Sequence, residues 1–256
     1  MTDNDDSQII HSVERALRVL QVFSPEHPQL TLSEMAKIIG LSRATTRRIL
    51  ITFEHLGFVR QDGRFFGPTP RVLRLGYGFL SSLPYWDRAQ PHVRGLADSV
   101  DEASSIAVFD DPDVVYVLRV PSQRQQTVTL TIGTRLPAYP TSLGQVLLAG
   151  LPEAELERYL ERTPLQQLTP KTITDKDELR AVLERTREQG YSISNGRREL
   201  GVLSVAAPIT NRRGEVIAAL NVSTNPARIS VSELRARILP QVVSTAKSIS
   251  DDLRYI

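Results

Sequence analysis

The sequence contains no cysteine, one tryptophan and four histidines among 256 residues. The absence of cysteine excludes disulfide bonds, thiolate zinc sites and cysteine nucleophiles, and it is typical of proteins in the reducing cytoplasm. No apolar run approaches the roughly 20 residues of a membrane-spanning helix. The polar, acidic N-terminus differs from a secretory signal. We therefore expect a cytoplasmic protein without a membrane partner.

Motifs of catalysis and cofactor binding are also missing. The sequence has no Walker loop, no Gly-x-Gly-x-x-Gly and no Gly-x-Ser-x-Gly. His92 is the only histidine after position 55, it lacks the spacing of a metal ligand, and we expect it at the surface. The sequence predicts that the protein is not an enzyme and that it uses no cofactor or metal.

The charge is distributed unevenly. Residues 11–80 carry ten Lys/Arg against five Asp/Glu, whereas residues 81–256 carry 21 of each. A segment with excess positive charge attracts DNA phosphates. The first segment is therefore the candidate nucleic-acid binder, and the neutral remainder is not.

Residues 31–56 have the pattern of a helix-turn-helix. Gly40 permits the positive φ that ends a first helix, and Ser42 is a favourable N-cap for a second. Apolar residues recur at helical spacing in the first helix (Leu32, Met35, Ala36, Ile39), and a stripe that we expect to be buried has the same spacing in the second (Thr46, Ile49, Leu50, Phe53). The opposite face of the second helix is basic, as a recognition helix in a major groove requires.

An Asp62-Gly63 turn between two short strand-like runs predicts a β-hairpin directly after this helix pair. A helix-turn-helix followed by a hairpin is a winged helix, although three-helix units without a DNA partner show similar alternation. We predict eight DNA-contacting residues: Ser42, Arg43, Ala44, Thr45, Arg47, Arg48, Arg60 and Arg64.

The rest of the chain divides into predicted segments. Residues 1–10 are a disordered tail, 11–68 the DNA-binding domain, 69–84 a linker helix and 85–256 a second domain. A helix over 11–23 has the apolar stripe Val13, Ala16, Leu17 and Leu20. Two glycines weaken the linker helix, so we expect it to pack on another element.

The second domain alternates hairpins with helices, which predicts an α+β fold with an antiparallel sheet. Its predicted strands include a third at 127–132, and its last helix spans 230–253 with a possible kink at Pro240.

Several residues of the second domain are candidates for a ligand pocket. The free N–H groups of Ser142 and Leu143, at the start of an apolar helix, can bind an anion, and Gly144 allows a ligand to approach the backbone. An ordinary capped helix is the alternative. Arg119, within an apolar strand, needs either an acid on a neighbouring strand or an acidic ligand. Asn221 and Ser223 share a strand face with Ser204 nearby, and are either a pocket wall or satisfied core polar groups.

These segments resemble the IclR family of bacterial transcriptional regulators over nearly the whole chain. The resemblance is carried by Ser12-Val-Glu-Arg-Ala-Leu-Arg-Val-Leu20, Leu41-Ser-Arg-Ala-Thr-Thr-Arg-Arg-Ile-Leu50, Gly57-Phe-Val-Arg60, Gly201-Val-Leu-Ser-Val-Ala-Ala-Pro208 and Ala218-Ala-Leu-Asn-Val-Ser223. Tyr85-Trp-Asp-Arg-Ala-Gln-Pro91 and Gly133-Thr-Arg-Leu-Pro-Ala-Tyr-Pro-Thr-Ser-Leu-Gly144 indicate the branch that regulates aromatic-acid (β-ketoadipate pathway) catabolism, of the PcaR, PobR and CatR type.

The resemblance implies a winged helix-turn-helix, a linker helix and a GAF-like effector domain. It also implies dimers through the DNA-binding domains, tetramers through the effector domains, and small carboxylates or aromatic acids as effectors. The effector-binding set that we predict is Arg119, Ser142, Leu143, Gly144, Ser194, Ser204, Asn221 and Ser223. Two positions depart from the branch: Arg197-Arg198-Glu199 replaces Glu-Leu-Glu, and Gly144-Gln145 replaces Gly-Arg or Gly-Lys.

The predicted function is a ligand-responsive regulator that binds double-stranded DNA at palindromic or repeated half-sites. The alternatives are a regulator of another small-acid pathway, of the glyoxylate or pyruvate type, and a DNA-binding protein whose second domain only oligomerises.

Overall fold

The computed structural model describes residues 9–24, 26–83, 86–122 and 130–253. Most of the predicted N-terminal tail therefore lies outside the described residues. The chain divides into two compact units, residues 1–82 and 83–256. In the described part of the chain, no helix is both long and apolar enough to cross a membrane.

The first unit combines helices with a small sheet. Its elements are α1 (His11–Gln21), β1 (Leu30–Thr31), α2 (Leu32–Ile39), α3 (Arg43–His55), β2 (Val59–Asp62), β3 (Phe65–Pro68), a 3₁₀ turn (Pro70–Val72) and α4 (Leu73–Ser82). The sheet order is β1-β3-β2, with antiparallel pairs. Thr31 and Glu34 form a capping box at the start of α2, and Gly40 ends that helix with φ +69°. The predicted winged helix-turn-helix is confirmed.

The core of this unit differs from the prediction in α1. Val19 is fully buried, and Ala16 and Leu20 of the predicted apolar stripe are half-buried against the core, whereas Val13 and Leu17 of the same stripe are 53% and 50% exposed. The predicted apolar stripe is therefore only partly buried, because helical spacing identifies an apolar face but does not say which edge of that face packs on the core. Helix α4 likewise has no buried residue, so the expected packing of the linker helix is not seen among the described residues.

The second unit has the predicted α+β architecture. Its elements are α5 (Trp86–Val100), β4 (Ala103–Asp110), β5 (Asp113–Val120), β6 (Arg135–Pro137), α6 (Ser142–Ala149), α7 (Glu153–Arg162), α8 (Lys176–Gln189), β7 (Ser192–Asn195), β8 (Leu203–Thr210), β9 (Val216–Thr224), α9 (Val231–Glu233), a π-helical turn (Leu234–Ile238) and α10 (Leu239–Leu253). The six strands form one antiparallel sheet in the order β6-β5-β4-β9-β8-β7. Helix α6 packs against this sheet and against α8, while α5 and α10 pack together and against the strands.

Two predicted elements of this unit were wrong in part. Residues 127–129 of the predicted third strand lie outside the described residues, and residues 130–132 are not in a strand; the strand beside β5 is β6. The final helix contains a π-helical turn directly before Pro240, where the N–H of Leu239 bonds the carbonyl of Leu234. Proline has no N–H for the next bond, so the irregularity falls in the preceding turn rather than at a sharp kink.

Candidate functional site

The start of α3 presents a polar, basic surface. Ser42 caps the helix by accepting a hydrogen bond from the N–H of Thr45 at 3.1 Å. The side chains of Arg43, Arg47 and Arg48 are exposed, and none forms an ion pair with a described residue. The opposite side of α3 is buried through Thr46, Leu50 and Phe53. Helix α3 therefore has unpaired cationic side chains on one face, and its other face packs into the core of the first unit.

The wing adds two further exposed arginines. Arg60 lies on β2, and Arg64 follows Gly63, whose φ of +56° allows the tight turn. The Arg64 guanidinium lies 5.1 Å from the centroid of the Phe65 ring, a cation–π contact that orients it. With Ala44, which is exposed, and Thr45, which is half-buried, all eight predicted DNA-contacting residues lie on the N-terminal part of α3 or on the wing.

The second unit contains a cavity of about 630 Å³ beside the start of α6. Seven of the eight predicted effector-binding residues line it: Arg119, Ser142, Leu143, Ser194, Ser204, Asn221 and Ser223. These residues come from five different elements, and the segment 197–202 lines another side of the cavity. The fold therefore brings together polar residues that are up to about a hundred positions apart in sequence.

The register of the sheet explains this convergence. Arg119, Ser105 and Asn221 are direct neighbours across β5, β4 and β9. Ser194, Ser204 and Ser223 are direct neighbours across β7, β8 and β9. Since Asn221 and Ser223 are two residues apart, the two rows share one face of the sheet. Two adjacent polar rows thus form the floor of the cavity.

The start of α6 forms another wall. The Thr141 hydroxyl oxygen accepts a hydrogen bond from the N–H of Gly144 at 3.0 Å, and the Ser142 hydroxyl donates to Ser204 Oγ at 2.9 Å. The N–H groups of Ser142 and Leu143 have no acceptor among the described residues. Two unpaired N–H groups at the positive end of a helix dipole suit a carboxylate.

Gly144 has a different role from the predicted one. It is not among the residues lining the cavity. A Cβ at this position would lie 2.0 Å from the Ala138 carbonyl oxygen, far inside van der Waals contact. Glycine is required here because the helix packs directly on the backbone of another segment, and the sequence pattern does not distinguish that from ligand approach.

Arg119 has no acidic partner among the described residues. Its Nη1 donates to Ser105 Oγ at 3.2 Å, while its buried Nε has no acceptor. Burial lowers the pKa of the Arg119 guanidinium, with a smaller opposing contribution from Tyr116. Asn221 Nδ2 donates to Ser223, but Asn221 Oδ1 is buried without a partner. Unsatisfied buried polar atoms beside a cavity favour a polar ligand over the alternative of satisfied core groups.

Sequence reasoning missed several lining residues, of which Tyr116 is the most instructive. In a regular strand, Tyr116 and Arg119 face opposite sides because they are three positions apart. The pairing shifts between Ile106, opposite Leu118, and Ala107, opposite Tyr116, so that Val117 is an extra residue. This bulge puts both side chains at the cavity. Burial raises the pKa of the Tyr116 hydroxyl, with smaller opposing contributions from Arg119 and Arg198.

His92 takes part in a contact between helices. Its Nε2 lies 2.9 Å from Asp252 Oδ2, which joins α5 to α10. In the described residues, no cluster of three or more His, Asp or Glu side chains has the arrangement of a metal site. His92 therefore contributes to the packing of α5 on α10.

Two family models match this chain. The IclR helix-turn-helix domain matches residues 12–63, and the C-terminal domain of the bacterial transcriptional regulator IclR matches residues 78–251. The chain is 36% identical over 249 residues to the Pca regulon regulatory protein of Pseudomonas putida, a match covering 97% of this chain and 86% of the relative. This relative agrees with the predicted resemblance to the aromatic-acid branch.

Solved structures give the same fold. A crystal structure from Rhodococcus sp. RHA1 has a TM-score of 0.85 and 46% identity, and the match covers 96% of this chain and 98% of that one. An IclR homologue from Microbacterium hydrocarbonoxydans, solved with 4-hydroxybenzoate, has a TM-score of 0.85 and 25% identity, with 96% and 100% covered. The matched families consist of transcriptional regulators and not of enzymes. The chain therefore belongs to the IclR family, and it is a transcriptional regulator with a helix-turn-helix domain and an effector-binding domain.

Proposed function

We propose that this regulator controls genes of small-acid catabolism, with an aromatic or related carboxylic acid as its effector. The observation that carries the proposal is the cavity beside α6, where unpaired helix N–H groups and an Arg119 without an acidic partner border one space. Both features stabilise a carboxylate. The Pca regulon relative and the homologue solved with 4-hydroxybenzoate support this class of effector.

The DNA-binding part of the proposal assigns roles to exposed residues. Arg43, Arg47 and Arg48 contact base edges and phosphates in the major groove, because their side chains are free and lie on the outer face of α3. Arg60 and Arg64 contact the backbone or minor groove from the wing. Ser42, Ala44 and Thr45 lie at the helix start, where small side chains allow close approach to the groove.

A triple substitution tests this assignment. Sequences bound by the full chain are first selected from a pool of random duplexes. We expect Arg43→Ala/Arg47→Ala/Arg48→Ala to weaken binding to the selected duplex at least a hundredfold, since each lost base contact costs about 1–3 kcal/mol. Fluorescence anisotropy measures the affinity.

The matched control is Arg212→Ala/Arg213→Ala/Arg237→Ala, which removes the same charge from exposed positions of the second unit. It should change affinity less than threefold, within the weak effect of distant screened charges. Equal losses in both triple variants would show that only net charge matters, and would reject α3 as the recognition helix.

We propose a dimer in which each copy contributes one recognition helix to a palindromic or repeated site. Apolar side chains of the first unit support an interface between copies: Ile9, Ile10, Val13 and Leu17 are all at least 43% exposed. An exposed cluster of this kind typically marks a protein interface. We extend the proposal to tetramers through the second unit.

The effector changes DNA affinity by binding two conformations of the chain unequally, as thermodynamic linkage requires. The change in DNA affinity is measured by adding acids to the complex with the selected duplex. The panel contains 4-hydroxybenzoate, protocatechuate, cis,cis-muconate, pyruvate and glyoxylate. A change in DNA affinity with an aromatic acid supports the proposal, and a response to pyruvate or glyoxylate alone supports the other small-acid pathway. If no acid binds, the result supports the alternative in which the second unit only oligomerises.

A further inference from the structure

A groove of about 440 Å³ lies between α1 and α3 in the first unit. Its floor includes Ala16 of α1 and Ile49 of α3, which are half-buried where the two helices pack on the core. Its rim includes Ser12 and Arg15 of α1 and Arg48 of α3, whose side chains are exposed. Among the described residues, none with an acidic side chain lines this α1–α3 groove. The groove therefore has an apolar floor and a basic, hydroxyl-bearing rim.

Both arginines of the rim lack a counter-charge. Neither Arg15 nor Arg48 forms an ion pair with a described residue. Glu14, the acid next to Arg15 in sequence, is 3.2 Å from His11, measured between Oε2 and Nδ1. Exposed guanidinium groups are suited to phosphate, because their N–H donors match the geometry of its oxygens. The α1–α3 groove is thus a candidate site for a phosphate-bearing partner.

The position of Arg48 on α3 favours a DNA strand as that partner. Arg48 lines the groove, whereas Arg43 and Arg47 do not. Successive residues of a helix are turned by about 100°, so Arg48 is turned toward α1 from the direction of Arg47. A recognition helix in the major groove has a phosphate strand on each side. A strand carries one charge per 3.4 Å of the duplex axis, so it supplies phosphates to cations from either helix.

A second copy of the chain fits the α1–α3 groove less well. Dimers bring the same surface of both copies together, so the basic rims of two grooves would face each other and repel. The exposed apolar residues Val13 and Leu17, which we assign to the contact between copies, do not line the groove. Helix α1 therefore has one surface for each kind of partner.

We propose that the α1–α3 groove binds the sugar-phosphate backbone of DNA, with Arg15 and Ser12 as contacts from α1 and Arg48 as the neighbouring contact from α3. This inference rests on the proposed function, because it requires α3 to be the recognition helix. It adds α1 to the DNA-binding surface. It also divides the work of α3, in which Arg43 and Arg47 contact base edges and Arg48 contacts a phosphate.

The salt dependence of DNA binding tests the contribution of Arg15. Fluorescence anisotropy measures the affinity of the full chain for the selected duplex over a series of salt concentrations. Arg15→Ala should reduce the slope of log affinity against log salt by about 0.9 per bound copy, because each neutralised phosphate releases counterions. Relative affinities for single base-pair variants of the duplex should stay within about twofold of wild type, since phosphate contacts carry no sequence information.

The matched control is Arg74→Ala, which removes an exposed arginine without an ion pair from α4 of the same unit. It should leave the slope unchanged within about 0.3, because only a contacted phosphate releases its counterions. Arg15→Lys retains the charge and should keep most of the wild-type slope, which a loss of packing at α1 does not predict.

Uncharged phosphates locate the contact on the duplex. Methylphosphonate replaces one phosphate at a time in the selected duplex, and binding is measured for wild type and for Arg15→Ala. At a phosphate that Arg15 contacts, the replacement should weaken wild-type binding about threefold or more and should leave Arg15→Ala binding unchanged. At the other contacted phosphates, it should weaken both proteins equally.

The outcomes separate this inference from the proposed function. If Arg15→Ala has the salt slope and the methylphosphonate profile of wild type, the inference is overturned while α3 remains the proposed recognition helix. A smaller assembly of Arg15→Ala in sedimentation velocity, with the same methylphosphonate profile as wild type, would place the groove between two copies and also overturn the inference. Rejection of α3 by the triple substitution described above would instead remove the proposed function on which the inference rests.

Discussion

Single residues of this chain show how one residue type serves different purposes. Gly40 and Gly63 provide positive φ at turns, as the sequence indicates. Gly144 instead permits contact between α6 and the Ala138 carbonyl. The sequence pattern places Gly144 at the correct helix start, but the contact depends on a segment whose path is set by the whole sheet.

We expect Gly144→Ala to lower the free energy of unfolding by about 2 kcal/mol or more, because an inserted methyl group has no room and the backbone must shift. Gly95→Ala is the matched control, since Gly95 lies within helix α5 and a Cβ added there would meet no atom within 4 Å. It should raise the free energy of unfolding by about 0.5–1 kcal/mol. Urea unfolding followed by circular dichroism measures both. A Gly144→Ala protein as stable as wild type would contradict the packing argument.

At the scale of elements, sequence reasoning succeeded where signals are local. Capping residues, turn glycines and periodic apolar stripes define α2, α3 and the wing, because each signal acts within a few residues. It failed where distant segments decide the outcome. The buried side of α1 depends on what packs there, and the strand β6 has only three residues, too few for a periodic pattern. The cavity position of Tyr116 depends on a bulge that sequence alternation does not reveal.

The segment between Gly196 and Gly201 borders the cavity, and both glycines have positive φ, +71° and +84°. We expect Gly201→Ala to raise the dissociation constant of the preferred acid about fivefold to tenfold, because the side chain disfavours this conformation by about 1–2 kcal/mol. Gly214→Ala introduces the same strain, at φ +79°, in the turn between β8 and β9. It should leave the dissociation constant unchanged in calorimetry. Similar effects from both variants would mean that the loop conformation does not contribute to binding.

At the scale of the whole molecule, the two units differ in charge and in surface. The first has the excess of positive charge and the exposed apolar side chains of α1, whereas the second is neutral and encloses the cavity. This separation agrees with the proposed division of roles, in which the first unit contacts DNA and the second binds an acid. It also means that the family's regulatory response requires each unit to influence the other through the chain or through its copies.

Exposed apolar residues of α1 give a prediction about assembly. We expect Val13→Gln/Leu17→Gln to halve the size of the assembly in sedimentation velocity, from dimer to monomer or from tetramer to dimer, because the polar groups must be desolvated at the proposed interface. DNA affinity should fall with it, since one recognition helix per protein contacts fewer bases. Ile38→Gln alters a similarly exposed apolar residue, 50% exposed on α2, and should leave the assembly unchanged. A dimer that withstands the double substitution would place the interface elsewhere.

The rigidity of α6 has a consequence for the kinetics of effector binding. All eight residues of this helix are buried, and Gln145 bonds both the Tyr139 carbonyl and Ser192. The N–H groups at its start are thus in position before an acid arrives, so binding at this end requires no ordering. Acids of similar size then enter at similar rates and differ mainly in residence time. If the effector is an acid, as proposed, discrimination among metabolites lies in the residence time of each acid, and we expect a brief pulse of a weakly bound acid to change transcription little.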